Sequence, residues 1–355
     1  MSAVLRPLEQ PQARLVLLGT GTVGSAFVAR YQALQQRQLS LPSLQVVANS
    51  RIALACEDAP DAALSRARNA QRQGDTPIHR QEVGRLRAGD IVVDATASEA
   101  VAADHAPWLA QGIHVVTANK LGNGTALARA QQIGTASAAG EARYGDAATV
   151  GAGLPLLRSI RALVAGGDHV HAIEGVLSGS LAWLFDRYDG SQPFSACVRE
   201  AAAAGYTEPD PRIDLSGEDV RRKLLILARA AGVPLEADQI SVDSLVPAAL
   251  AALDAADVDA ALSLLDAPLA ERLQQAQSQG LKLCFVGRLD GQGASVGLRA
   301  LPQGHALAGG SGTDNRVAIH SDRYNTQPLL IQGPGAGAEV TAAALLDDVL
   351  NIVNR

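Results

Sequence analysis

Residues 205–225, GYTEPDPRIDLSGEDVRRKLL, gather the side chains best suited to proton chemistry. Five carboxylates fall there, Glu208, Asp210, Asp214, Glu218 and Asp219, and Lys223 follows them. Asp219 and Lys223 are spaced i,i+4, so on a helix they share one face and can pair. An amine oriented by a carboxylate is a candidate general acid. The plain alternative is an exposed ion pair worth about 0.3–0.5 kcal/mol. Pro209 and Pro211 stiffen the approach, because each fixes φ and biases its predecessor toward extended backbone. A helix is expected to start near Ser216, with Ser216 and Asp219 as a capping box. Val220, Leu224, Leu227 and Ala231 repeat at helical spacing and predict a buried stripe. Lys223 stands at its edge, where it is well placed to lose solvation. Gly232 and Pro234 supply the stop signal.

A second constellation suits a dinucleotide. The apolar strand Arg14–Leu18 runs into Gly19-Thr20-Gly21-Thr22-Val23-Gly24 and then an apolar-periodic helix, Ser25 to about Gln35. Strand, glycines and helix in that order are the context of a pyrophosphate-binding turn. Gly19 serves the tight turn, Gly21 the backbone approach to the phosphates, and Gly24 close helix–strand packing. The alternative is a simple strand-to-helix turn. The next strand, Leu44–Ala48, ends in Asn49-Ser50-Arg51 rather than in an acid that would accept from a ribose 2′-hydroxyl. Ser50 and Arg51 suit a 2′-phosphate, so NADP(H) is preferred over NAD(H), unless Arg51 is only a solvated loop residue. Thr96 and Ser98 follow the strand Ile91–Ala95 and could line the nicotinamide side. Asn119-Lys120 closes the strand Gly112–Thr117, where Lys120 is either functional or an ordinary loop lysine.

These residues need a parallel sheet to position them. Alternating strands and helices, with helices at Val101–Ala110 and Ala126–Ala139, run to about residue 150 and predict a doubly wound Rossmann-type sheet. Residues 1–13 read as a loose arm. Residues 53–89 read as a variable excursion with a polar helix, Ala62–Gln73. Ala142–Val150 is expected as a strand leaving the first domain. A turn at Gly151–Pro155 then leads into a helix to about Val164. The strand His169–Val176, the helices Gly179–Tyr188 and Phe194–Ala204, helical segments either side of Pro268, and the hairpin Lys282–Leu289/Ser295–Ala300 follow. With strands Asn315–His320 and Pro328–Gln332 they predict an α+β domain on a mixed or antiparallel sheet. The expected domains are 1–150, completed by 333–355, and 151–332.

Composition narrows the function. A chain of 355 residues with 47% hydrophobic residues suffices for two cores. A net charge of −6 and no basic, aromatic-laced patch argue against nucleic acid. No apolar run reaches the ~18 residues of a membrane span, and the N-terminus lacks a signal-peptide pattern. Cys56, Cys197 and Cys284 are scattered, which suits reduced thiols in the cytoplasm. No H-E-x-x-H occurs, and His169-x-His171 reads as structural, so no catalytic transition metal is expected.

TEPDPRIDLSGEDVRRKLLILAR resembles the signature of homoserine dehydrogenases. So do VVTANK (115–120), VGAGLPLL (150–157), GVLSGSLAWLF (175–185) and GPGAGAEVTAA (333–343), in family order across nearly the whole chain. The resemblance implies reversible NADPH-dependent reduction of L-aspartate 4-semialdehyde to L-homoserine by a homodimer. It implies that Lys223, paired with Asp219, protonates the nascent alkoxide, directly or through a water. Glu208 suits the substrate ammonium. Lys120, expected between cofactor and substrate, suits its carboxylate or orients the reacting centre. Asp214 holds the loop, and Gly337 approaches the cofactor. The resemblance also implies a sodium-like monovalent cation on the carbonyls of Val150, Ala152 and Leu154. The family's usual carboxylate three residues before Val150 is here Ala147, with Asp146 one residue earlier. On a strand that offset turns the side chain to the other face, so a weaker cation site is expected, or one rescued by a bulge. The chain is expected to be monofunctional and to lack a threonine-binding domain. Alternatives are another two-domain NADP-dependent amino-acid dehydrogenase or a cofactor sensor without turnover. A thioester-forming aldehyde dehydrogenase is disfavoured, because Cys197 has no partner histidine in its pattern.

Overall fold

The computed structural model describes residues 13–57, 59–71 and 78–354. All but the last position of the expected arm 1–13, and Arg72 and Gln73 of the expected helix Ala62–Gln73, lie outside them. The chain divides into two compact units. The first comprises the described residues up to Gly122, Gln131–Asp146, and the segment from Thr341; the second comprises Asn123–Ala130 and Ala147–Val340.

The first unit is built on β1 (Arg14–Leu18), β2 (Ser43–Ala48), β3 (Ala53–Ala55), β4 (Ile91–Asp94), β5 (His114–Thr117) and β6 (Tyr144–Gly145). Their order is β3-β2-β1-β4-β5-β6, parallel throughout except for β3 against β2. Near-continuous apolar runs explain this: Leu15–Leu18 and Ile91–Val93 are buried, as strands covered on both faces must be. Leu18 is in register with Ala48 and with Asp94, and Asp94 with Thr117. The carboxyl ends of four strands therefore stop level, and the loops after them share one edge. At the opposite end the Arg14 guanidinium and amide bind Asp90 at 2.5–3.0 Å and fix the start of β1 to the turn before β4.

Several expectations need correction here. The excursion 53–89 contains β3 and a short helix, Ile78–Val83, and its other helix is Pro60–Asn69. The helix Val101–Ala110 is two, Glu99–Ala103 and His105–Ala110, broken at Asp104. The strand Ala142–Val150 shrinks to β6, after which Ala147–Thr149 coil into a 3₁₀ turn.

The second unit holds β7 (Val170–Val176), β8 (Ile240–Val242), β9 (Leu281–Asp290), β10 (Gly293–Pro302), β11 (Asp314–Ser321) and β12 (Leu329–Pro334). Their order is β12-β11-β7-β9-β10-β8, antiparallel except for β8 beside β10. Ile173, Phe285, Val317 and Ile319 share a core with Leu156, Ile160, Leu181, Val220 and Leu224 of the helices. The short β8 carries too few residues to show period-two alternation and was not expected. Helical segments flank Pro268 as expected, Val258–Ala261 and Leu262–Leu265 before it, and Pro268 itself lies in the first turn of the helix Asp266–Ser278, where no intrahelical donor is missed.

Candidate active site

Lys223 is on the helix Glu218–Ala230, whose residues 223–228 are all buried. Its relative exposure is 8%, so the exposed-pair alternative does not describe it. Nζ lies 2.8 Å from Asp219 Oδ2 and donates to the Leu177 carbonyl at 2.7 Å. Two of three ammonium donors are thereby used. The Leu177 carbonyl also accepts from Asn315 Nδ2 at 3.3 Å, and Asn315 is fully buried. The helix does not start as the sequence suggests. Its N-cap is Gly217, left-handed at φ 78°, without a side-chain cap. Ser216 instead donates to Ile213 O and accepts from Glu218 N, ending a short helix, Arg212–Leu215. Gly217 is required twice over: the left-handed backbone suits glycine, and a Cβ would stand 2.9 Å from Phe285 Cζ. Pro211 is the N-cap of that short helix, at φ −64° and ψ −15°.

Asp214 ties the carboxylate loop to the turn after β7. Its Oδ2 accepts from Glu208 N at 2.8 Å and its Oδ1 from Ser180 Oγ at 2.7 Å. Ser180 Oγ is also 2.8 Å from Ser178 Oγ, which caps the helix Gly179–Arg187. The turn Leu177–Ser180 thus touches both Lys223 and Asp214. Glu208 is exposed. Beside it, Thr207 Oγ1 is buried without a hydrogen-bond partner.

In the first unit, the glycine turn follows β1. Gly19 has φ +105°, and a Cβ there would lie 2.6 Å from the Ala95 carbonyl oxygen. A Cβ on Gly24 would overlap the Gly19 carbonyl, whereas none on Gly21 would meet an atom within 4 Å. The open space is at Gly21, the position expected to face phosphates. The helix is Thr22–Gln36, so Thr22 and Val23 belong to its first turn rather than to the loop. That turn carries no acid and no side-chain cap, which leaves its N–H groups available to an anion. Thr20 is buried and accepts from Asn49 Nδ2 at 3.0 Å. Asn49 Oδ1 accepts from the amides of Arg51 and Ile52, so Asn49 shapes the turn, with Ser50 exposed at its tip. Arg51 Nη2 donates to Arg68 O at 2.8 Å, and Arg68 Nη1 reaches Ser25 Oγ at 3.4 Å. The Arg51 guanidinium thus follows the end of β2, and that of Arg68 reaches the start of the helix Thr22–Gln36. Arg68 was invisible to spacing arguments because it comes from the excursion. Thr96 binds Asp94 Oδ1 through its amide and hydroxyl, Ser98 caps the helix Glu99–Ala103, and Lys120 is half-buried in the turn after β5.

The turn after the 3₁₀ segment contains Val150, Ala152 and Leu154. Gly151 and Ala152 both have positive φ, +72° and +48°, and Leu154 N donates to Gly151 O. The strand-face argument against a carboxylate at position 146 is overturned, because residues 147–149 are not a strand. This turn adjoins the segment that contains Gly337: a Cβ on Gly153 would stand 3.3 Å from Val340 O, and one on Gly333 3.0 Å from Leu154 Cδ2. Among the described residues no group of three or more His, Cys, Asp or Glu could hold a metal ion, and no helix is long and apolar enough to cross a membrane. His169 and His171 each lie 2.8 Å from a carboxylate oxygen of Asp322.

Residues 155–350 match the family model of homoserine dehydrogenase, and residues 19–144 match that of the homoserine dehydrogenase NAD-binding domain. The chain belongs to the homoserine dehydrogenase family. Homoserine dehydrogenases are NAD(P)-dependent oxidoreductases, and the first unit carries the nicotinamide-dinucleotide-binding fold. The chain is 42% identical over 281 residues to a bifunctional aspartokinase/homoserine dehydrogenase 1 of Zea mays, covering 78% of this chain and 30% of that protein. It thus spans about a third of the length of that relative. It is 39% identical over 278 residues to a homoserine dehydrogenase of Emericella nidulans, covering 75% of this chain and 76% of that one. A crystal structure of a Candida auris protein of unknown function superposes with a TM-score of 0.85 at 35% identity, covering 97% of this chain and 99% of that one.

Proposed function

We propose that the chain interconverts L-homoserine and L-aspartate 4-semialdehyde with NADP(H), in threonine, methionine and isoleucine biosynthesis. The observation that carries this is Lys223: a buried ammonium held by Asp219 and the Leu177 carbonyl, with one donor left over. When bound, the nicotinamide supplies or takes the hydride. Lys223 gives the proton to the nascent alkoxide, directly or through a water, and takes it back in the reverse direction. Asp219 orients it. Glu208 binds the substrate ammonium, and Asp214 fixes the Glu208 backbone. Lys120 serves the substrate carboxylate or orients the reacting centre.

The glycine turn Gly19–Gly24 and the first turn of its helix hold the pyrophosphate. Thr96 and Ser98 line the nicotinamide side, and Gly337 approaches the cofactor. Arg51 and Arg68 favour NADP(H) by receiving the 2′-phosphate, with NAD(H) a poorer cofactor. A monovalent cation, sodium-like, sits on the carbonyls of Val150, Ala152 and Leu154; the two positive-φ residues of that turn support the reading. The dinucleotide domain is 1–150 with 333–355, and 151–332 is the catalytic and dimerisation domain of a cytoplasmic homodimer. Mixing the purified chain with homoserine and NADP⁺ and following reduced-nicotinamide absorbance tests the activity. No reduction with homoserine beside rapid reduction with another amino acid would overturn the substrate.

A further inference from the structure

We propose that Asp94 is a positioning residue: through the hydrogen-bonded chain Asp94–His105–Tyr144 it fixes the turn Asn119–Gly122, and with it Lys120. This deepens the functional reading above and rests on the role given there to Lys120. All these residues lie in the first unit.

Asp94 ends β4 and is 0% exposed. A strand in a parallel sheet has no use for a buried carboxylate, which is costly to bury unless donors compensate it. Here five donors do, the longest from Thr117 Oγ1 to Oδ2 at 3.5 Å. Oδ1 accepts from Thr96 N at 2.9 Å and Thr96 Oγ1 at 2.7 Å. Oδ2 meets His105 Nε2 and Asn119 Nδ2, each at 3.0 Å. A carboxylate only accepts, so the proton on Nε2 points at Asp94, and Nδ1 faces Tyr144 Oη at 3.1 Å. The same rule orients Asn119. Its amide nitrogen faces Asp94 and Ser98 O, so its oxygen is left to accept from Leu121 N at 3.1 Å. Asn119 N is in turn bound by Thr117 Oγ1 at 2.9 Å. The backbone on both sides of Lys120 is therefore pinned. Gly122, at the far end of the turn, lies on the other end of the chain: a Cβ there would overlap Tyr144 Oη and stand 3.1 Å from His105 Nδ1. The turn that carries Lys120 thus rests on one polar chain at two points, and the same carboxylate shapes the loop of Thr96 and Ser98.

The test uses the full chain and two variants. Asp94→Asn places an amide where two donors already converge. Asn119→Ala removes the link to the turn but leaves Asp94, His105 and Tyr144 in place, and it decides the matter if Asp94→Asn does not fold. Each should lower kcat for homoserine oxidation about 10–100-fold; KM for NADP⁺ should hold in Asn119→Ala and rise in Asp94→Asn, whose carboxylate also shapes the loop of Thr96 and Ser98. In a Lys120→Ala background the same change should cost less than about 3-fold, because residues acting through one another are not additive. Each should also speed amide hydrogen exchange in residues 119–122, and Asn119→Ala should leave that of the Gly19–Gly24 turn unchanged. The exchange readout needs no turnover, so a wild-type chain inert toward homoserine would strike the functional reading without removing this test. Undiminished losses in the Lys120→Ala background, or unchanged exchange at 119–122, would overturn the proposal.

Discussion

Lys223 has its position set by three atoms of different origin. Asp219 comes from its own helix, the Leu177 carbonyl from the end of β7, and Asn315, from β11, holds that carbonyl. Removal of the amine should therefore leave the surroundings standing. Lys223→Ala is expected to lower kcat about 10²–10⁴-fold, with NADPH binding retained. Lys223→Arg should not restore it, since a guanidinium does not exchange its proton near neutral pH. A Lys223→Ala enzyme with near-normal kcat would sink the assignment. Glu208→Ala should instead raise KM for the amino acid and spare kcat, because Glu208 is exposed and its carboxylate is not part of the hydrogen-bonded cluster around Lys223. Arg51→Ala should narrow the preference for NADPH over NADH, and Arg51→Ala with Arg68→Ala should narrow it further. Equal losses with both cofactors would show that neither guanidinium reads the 2′-phosphate. The Asp219–Lys223 pair was legible because helical spacing is a local signal. Leu177, Asn315, Ser180 and Arg68 were not, because each arrives through tertiary contact over tens of residues or more.

At the scale of elements, period and glycine placement carried most of the information. The parallel strands showed as apolar runs, and the hairpin between β9 and β10 showed as Asp290-Gly291-Gln292-Gly293. The failures are equally physical. Ser216 looks like an N-cap, but Gly217 can adopt a backbone that Ser216 adopts only at a cost, so the helix starts one residue later. Residues 147–149, Ala-Ala-Thr, are all small, and nothing local separates a 3₁₀ turn from a strand end. The glycine turn offers a contrast that separates fold from binding. Gly21→Ala meets no protein atom within 4 Å and has an ordinary φ of −76°, so Tm should hold while KM for the cofactor rises. Gly24→Ala drives a Cβ into the Gly19 carbonyl and should destabilise by about 1–3 kcal/mol. A Gly21→Ala chain that loses Tm but binds cofactor normally would reverse the assignment of the open face.

For the molecule as a whole, the family was legible because its motifs run from the first unit through the second, so no single misread element could obscure it. What sequence could not supply is which charged groups are tied down in the fold, and these decide how stability responds to pH. Burial pushes the Asp90 carboxyl up, but hydrogen bonds from the Arg14 guanidinium and from the amides of Arg87 and Arg14 hold it below the usual carboxylate range. The Arg212 side chain does the same for Asp210, the Gln292 amide for Asp290, and the His169 amide for Asp322. A carboxylate with a depressed folded pKa stabilises above its unfolded value, about 3.9, and loses that contribution as pH falls through the folded value. His114 works higher in the range. Burial, and then the charge of Arg143, push its pKa down, and its Nδ1 accepts from Arg143 N at 2.9 Å, next to the pairing of β5 with β6. Its unfolded value is about 6.5, so the neutral ring's contribution is complete above that pH and declines as pH falls from there toward the folded value. Tm should then show a shallow decline beginning near pH 6.5 and a steeper one below about pH 4. His114→Asn keeps an acceptor for Arg143 N but cannot titrate. It should lower Tm somewhat at every pH, through poorer strand propensity, and flatten the shallow decline. A variant whose Tm falls as steeply as wild type between pH 7 and 5 would show that another group sets that slope.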